Sequence, residues 1–446
     1  MNNKATLTEG YIGKTLLNLT IPMFFGLLSI ILFNLVDTFF LGRLGNNELA
    51  AISFTLPVVT IIAGFTLGLG VGASVTISHA IGQGDHHKVQ RLTTDSLILS
   101  IVLVLFFISI GLLTINPLFT LLGARTDILI LIKKYMSVWY FGVPFVVLPM
   151  VGNNAIRATG DAKTPAYIMI FGSLVNFILD PLLIFGIGFF PKLGITGAAI
   201  ATVIARALTF VFSFYILFHR DKMITFKLVK ISEIIQSWKQ ILYIGLPVAL
   251  TRIIMPLEIG VLTGLIASYG PKSVAAFGVA TRIEFFALAV ILALASVLAP
   301  FIGQNLGAKK IERIFLSIKY SNQFSIIWGF FLFTIFTLLA HPIASIFTND
   351  KLIILQTASY LKIVSIAFGL EGVLIIINAS LNTLKKPFLA ASLIIIQGFA
   401  LCIPLAFLGS HFIGLNGIFT GISLAYIVSG ILAYLINAKR ITFINY

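Results

Sequence analysis

The sequence predicts an all-α membrane protein: twelve transmembrane helices in two six-helix bundles, related by a pseudo-two-fold along the membrane normal. Three observations predict it. Hydrophobic residues are 59% of the 446 and charged residues only 10%, with a mean hydropathy of +1.06. A polytopic membrane protein has that balance and a soluble domain of this length does not. Apolar runs of about 20 residues recur along the whole chain. Finally, landmarks of the first half return in the second at an offset of about 220–225 positions.

The expected spans are 15–41, 52–78, 94–115, 135–156, 166–189, 194–218, 240–267, 275–300, 318–340, 357–382, 388–408 and 412–436. Their length and lack of alternating polarity select helices over strands. The N-terminus is polar, with no short apolar stretch before a small-residue cleavage site, so the first span is expected to be retained. Span one holds Pro22 and Asp37. An ionised carboxylate at a helix centre in hydrocarbon costs at least about 2.5 kcal/mol, so Asp37 is a functional candidate. Pro22 shares its helix and is a hinge candidate; the alternative is a static kink.

Span two carries Gly64, Gly68 and Gly72, a stripe of small residues expected to pack closely against another helix. The turns Gly82–Asp85 and Gly160–Lys163 lack the Gly-Lys-Ser/Thr and βαβ context of a phosphate loop. Span five holds Asn176 and Asp180 four residues apart, hence on one helix face, with Pro181 disturbing the turn before it. Span six can add the hydroxyl of Thr202.

The basic, polar stretch 219–239 then reads as a cytoplasmic linker. It divides an N-terminal lobe, 1–218, from a C-terminal lobe, 240–446. The returning landmarks are Ile21-Pro22 with Leu246-Pro247, Gly45 with Gly270, Gly82-Gln83 with Gly303-Gln304, Pro165 with Pro387, and Gly194 with Gly414. An even number of spans per half makes both halves enter from the same side, the plan of a transporter that alternates its opening.

In the second half, Glu258, Glu284 and Glu371 lie in spans. Glu371, and Glu258 about one turn from the matching place, are a candidate second acidic site only through the family resemblance given below. The alternative is ion pairing with Arg252 or Arg282, since buried membrane charges tend to pair. The lone cysteine, Cys402, reads as packing, and the six histidines show no metal-ligand spacing.

The net charge of +15 does not indicate nucleic acid. Nineteen of the thirty Lys and Arg residues fall in the N-tail, the even-numbered loops and the C-tail, and seven in the odd-numbered loops. That asymmetry places both termini in the cytoplasm. Arg206, Arg252, Arg282 and Lys362 lie in or at the ends of spans.

Asp37, Asn176, Asp180 and Thr202 offer carboxylate, amide and hydroxyl oxygens, the ligands that hard cations take. A proton shared between close carboxylates is the competing occupant, so H⁺ and Na⁺ both remain open. The alternative is a hydrogen-bonded cluster that only joins helices.

An ordered set of motifs spans nearly the whole chain: VDTFFLGRLG at 36–45, IGQGD at 81–85, RATGDAKTP at 157–165, NFILDP at 176–181, GITGAAIAT at 194–202, and IGQNLGA in the second half. With these the chain resembles the multidrug and toxic compound extrusion (MATE) family, and NFILDP with Asp37 looks like its DinF-like branch. The resemblance implies a secondary antiporter, not an enzyme. It would export organic, cationic or amphipathic compounds in exchange for H⁺ or Na⁺ bound at Asp37, Asn176, Asp180 and Thr202. It also implies a multi-pass protein of the bacterial inner membrane, expected to be a monomer with no cofactor, whose partners are small-molecule drugs and membrane lipid. The competing expectation is a flippase for lipid-linked intermediates from the same superfamily, to whose cationic cavity Arg206, Arg252 and Arg282 would contribute.

Overall fold

Inside hydrocarbon every backbone N–H and C=O must be satisfied by the segment itself, which leaves the helix as the solution for a chain of separate apolar runs. In the computed structural model, which describes residues 5–227 and 229–441, twelve helices are long and apolar enough to cross a membrane. They are α1 (Ile12–Leu44), α2 (Asn47–Gln83), α3 (His86–Leu121), α4 (Thr126–Ala158), α5 (Lys163–Phe185), α6 (Ile195–Arg220), α7 (Ile231–Ala267), α8 (Pro271–Gly307), α9 (Ile311–Ser345), α10 (Lys351–Thr383), α11 (Pro387–Ile413) and α12 (Leu415–Asn437). Each expected span coincides with one of them. Several helices overrun the apolar stretch, most clearly α3 and α9, because polar end residues continue the helix beyond it.

The stops follow local chemistry. Gly84 closes α2 in the left-handed region (φ 73°), and Asp85 then caps α3 by accepting from the Lys88 N–H at 2.9 Å. Asp350 caps α10 through the N–H groups of Leu352 and Ile353. A hydrogen bond from Lys272 holds the Asp350 carboxyl below the usual carboxylate range. Gly414 (φ 69°) separates α11 from α12. Three helices are irregular: α6 ends in a π segment, Ile216–Arg220; α10 is interrupted by a 3₁₀ turn, Ser365–Ala367; and α11 contains a π segment, Ile396–Cys402.

The chain forms two compact units. The first comprises Met1–Thr6 and Ile21–Ala249, the second Leu7–Thr20 and Leu250–Tyr446. Both α1 and α7 therefore change unit within the helix. The change falls between Thr20 and Ile21 in α1, just before Pro22, and between Ala249 and Leu250 in α7, just after Pro247.

In the first unit the glycine stripe of α2 meets the start of α7. A Cβ at Gly72 would collide with the Ile241 carbonyl, and one at Gly245 would lie 2.8 Å from the Gly68 oxygen. The linker is bound to α3. Gln90 donates to the Lys222 carbonyl at 2.9 Å, the Thr225 N–H to Thr94 at 3.0 Å, and the Trp238 indole to the Asp95 carbonyl at 3.0 Å. Buried Asp95 pairs with Arg91.

In the second unit the turn before α1 is held by the GQNLGAKK stretch and by Arg313 of α9. Gln304 accepts from the Leu7 N–H at 3.0 Å, Asn305 donates to the Leu7 carbonyl at 3.1 Å, and Lys310 and Arg313 donate to the carbonyls of Thr8 and Gly10.

Candidate functional site

In the first unit, α5 and α6 bring three of the expected residues into contact. Asn176 and Asp180 lie one turn apart on α5 and both are fully buried. The Asn176 amide donates to Asp180 Oδ1 at 3.1 Å and to Thr202 Oγ1 of α6 at 3.4 Å. Among the described residues Asn176 Oδ1 and Asp180 Oδ2 are buried with no hydrogen-bond partner. A buried acceptor without a donor costs about 1–3 kcal/mol, more when charged. Two such oxygens four residues apart suit a cation or a proton, either of which would satisfy them.

Asp37 is half-buried on α1 and close enough for its charge to act on Asp180. Among the described residues no hydrogen bond joins it to Asp180, Asn176 or Thr202. Tyr135 of α4 is buried where both carboxylates act on its hydroxyl. The set thus draws on α1, α4, α5 and α6. Phe40, on the turn after Asp37, packs edge-on to Phe185 and tilted to Phe177, which ties the upper part of α1 to α5. Pro22 lies within the continuous helix α1, fifteen positions before Asp37.

Arg206 follows Thr202 by one turn of α6, with its guanidinium 5.1 Å from the centre of the Phe33 ring, itself one turn before Asp37. It has no carboxylate partner among the described residues.

The second unit assembles its own acids. Glu371 accepts from Gln397. Glu258 lies against Gly398, where a Cβ would come 2.5 Å from its carboxylate oxygen, and within reach of the Cys402 thiol. Glu284 is buried and accepts from Tyr360 at 2.5 Å and Tyr426 at 3.0 Å. The charges of Glu258 and Glu284 act on Glu371. Gln397, Gly398 and Cys402 all belong to the π segment of α11, and such widened turns concentrate at functional sites. The alternative expectation, an ion pair from Glu258 or Glu371 to Arg252 or Arg282, is not formed among the described residues. Cys402, expected to be packing, faces an acid as well.

The MatE family model matches residues 22–182 and again residues 247–408, which together are most of the chain. The chain belongs to the MATE family. The family consists of transporters, not enzymes, and MATE structures have a two-lobed, twelve-helix fold. The two matched blocks begin at Pro22 and Pro247 and reproduce the repeat offset seen in the sequence.

Among curated relatives, a protein of Shewanella oneidensis named "FAD transporter" is 37% identical, covering 99% of this chain and 97% of its own. "Multidrug export protein MepA" of Staphylococcus aureus is 29% identical, over 95% of this chain and 93% of its own. Among solved structures, the Vibrio cholerae MATE transporter VcmN in its bent form matches with a TM-score of 0.92 and 32% identity. That match covers 97% of each chain.

Sequence reasoning missed Tyr135, Tyr360, Tyr426 and Gln397. A tyrosine in an apolar run carries no sign of what its hydroxyl meets, and the π segment that aims Gln397 has no recognised sequence mark.

Proposed function

We propose that this MATE protein is a secondary antiporter that exports organic compounds in exchange for H⁺ or Na⁺. Asp37, Asn176, Asp180 and Thr202 form the cation or proton site, in the manner of the DinF-like branch. The observation that carries the reading is the pair of buried oxygens on Asn176 and Asp180 that have no partner among the described residues. Other buried oxygens are unpaired among the described residues, Asn322 Oδ1 and Asn382 Oδ1 among them, but at Asn176 and Asp180 two lie together on one helix face and one belongs to a carboxylate, the combination a hard cation or a proton takes.

In this scheme the cation binds while the site is open to the outside, and α1 bends near Pro22. The place where α1 passes from one unit to the other supports that hinge. Coupling requires only that ion and substrate prefer different states, not that they touch. Glu258 and Glu371 serve as a second acidic site; the hydrogen-bonding shell that α11 supplies around them supports this. The protein works as a monomer in a bacterial inner membrane with both termini in the cytoplasm.

A second reading concerns the substrate. The relative at 37% identity is named for FAD, whereas the multidrug exporter stands at 29%. Arg206, Arg252 and Arg282 have no carboxylate partners among the described residues, so their charge is available to an anion. We take an anionic aromatic compound, of which a flavin dinucleotide is the type, as a substrate class alongside drugs. The same arginines keep a lipid-linked anion as the rival cargo.

Asp37→Asn and Asp180→Asn test the core of the proposal. Each should abolish efflux at unchanged expression and monodispersity. Full ion-driven transport in both variants would overturn the site.

A further inference from the structure

We propose that Arg206, stacked on Phe33, is the subsite that takes the anionic group, a phosphate or carboxylate, of the transported molecule. This rests on the anionic-substrate reading above and gives that reading a place in the first unit.

Depth is the first argument. Arg206 lies eleven residues after the start of α6 and fourteen before its end, about 16 Å and 21 Å along the axis. Either distance is farther than one side chain spans, so the guanidinium cannot reach the water at either surface by extending along the helix. Nearby Ile204, Leu208 and Val211 are exposed, whereas Arg206 is half-buried, so it does not share their outward face.

The second argument is satisfaction. A guanidinium carries five donors and stays charged. A charge inside a membrane protein is normally paired with another or lines a polar pathway. Arg206 has the face of Phe33, a favourable contact for a cation, and no carboxylate among the described residues. Its fork is free to take a planar or tetrahedral anion through two parallel hydrogen bonds.

The third argument is alignment. Arg206 is one turn from Thr202 on α6, and Phe33 is one turn from Asp37 on α1. Both are displaced toward the same end of their antiparallel helices. A further turn along α1 and α5, the half-buried Ser29 and Ser173 hydroxyls lie 3.4 Å apart. From the cation site, then, α1, α5 and α6 present first a guanidinium on an aromatic ring and then two hydroxyls. Cation and anion positions are separate but adjacent, which lets the substrate carry an aromatic ring and a negative group together.

The test uses the full chain in phosphatidylcholine nanodiscs, titrated with FAD, FMN and riboflavin. These share the flavin ring but differ in phosphate. Wild type should bind FAD and FMN at least about tenfold more tightly than riboflavin, the scale of a charge-assisted hydrogen bond. Arg206→Gln should reduce that ratio to near one while leaving riboflavin binding unchanged. Arg206→Lys, which keeps the charge without the fork, should restore only part of it.

A phosphate-dependent ratio that survives in Arg206→Gln would overturn the subsite and leave the anionic-substrate reading standing. No preference for FAD over riboflavin in wild type would overturn that reading, and the subsite with it. Repeating the titration with phosphatidylglycerol in the nanodisc separates the two sources of phosphate. Arg206-dependent capture of that lipid in place of FAD would overturn the substrate assignment.

Discussion

Replacing Asn176 by alanine removes the residue that joins the two neighbours of the cation site. Its amide lies 3.1 Å from Asp180 and 3.4 Å from Thr202. The first is an ordinary hydrogen bond and the second is at the long limit, so nearly all the effect should come through Asp180. A hydrogen bond to a charged group is worth about 1.5–3 kcal/mol. Its loss, together with that of the free Asn176 oxygen, should shift the half-saturating ion concentration roughly 10- to 150-fold, upward for Na⁺, which loses a ligand oxygen, and downward for H⁺, because the donated bond favours the carboxylate over the acid. Thr202→Val gives up only the long contact and should change it by about threefold or less. The assay is the half-saturating H⁺ or Na⁺ concentration for transport in proteoliposomes, measured on variants of matched thermal stability. An unchanged value in Asn176→Ala, or an equal shift in Thr202→Val, would refute the ordering that the geometry imposes.

The remaining predictions concern packing, the second acidic cluster and the hinge. Gly72→Leu drives a side chain into the Ile241 backbone and should lower thermal stability by at least the roughly 1–3 kcal/mol typical of overpacking. Gly264→Leu, where a Cβ meets nothing within 4 Å, should be tolerated, and thermal melts of the purified variants check both. Glu371→Gln keeps a partner for Gln397 but loses the charge; it should impair ion-driven transport without lowering the melting temperature, and full transport would reduce Glu371 to packing. Pro22→Ala restores the N–H that an uninterrupted helix would direct at Asn18. It should slow turnover at saturating substrate while leaving substrate affinity intact, and unchanged turnover would remove the hinge.

The residues explain how much of this was legible from the sequence. Spans are long apolar runs, and apolarity is written in the chain, so all twelve were recoverable. Their ends were less so, because helices such as α3 continue through His86–Asp95, residues whose polarity says only that they lie near water. The Asn176–Asp180 pair was legible because polar groups stand out in an apolar run and a four-residue spacing fixes one face. Thr202 followed from the next span.

What the sequence did not disclose was which polar groups lack partners. Nothing in the residue order says that Arg206 rests on Phe33, or that Glu258 meets Cys402 and a π segment instead of an arginine. Those outcomes depend on helix rotation, which packing decides. The linker shows the same limit. Its polarity reads as a tether, yet three hydrogen bonds to α3 or its backbone come from Gln90, Thr94 and Trp238, whose side chains serve equally well at a solvated surface.

The measurement that bears most directly on the central claim is substrate transport in proteoliposomes with H⁺ and Na⁺ gradients imposed separately. It should be made on wild type, Asp37→Asn and Asp180→Asn. The account predicts that at least one gradient drives substrate against its concentration in wild type and that neither does so in the two variants. Uphill transport retained in both variants, or substrate movement in wild type that no ion gradient alters, would contradict it.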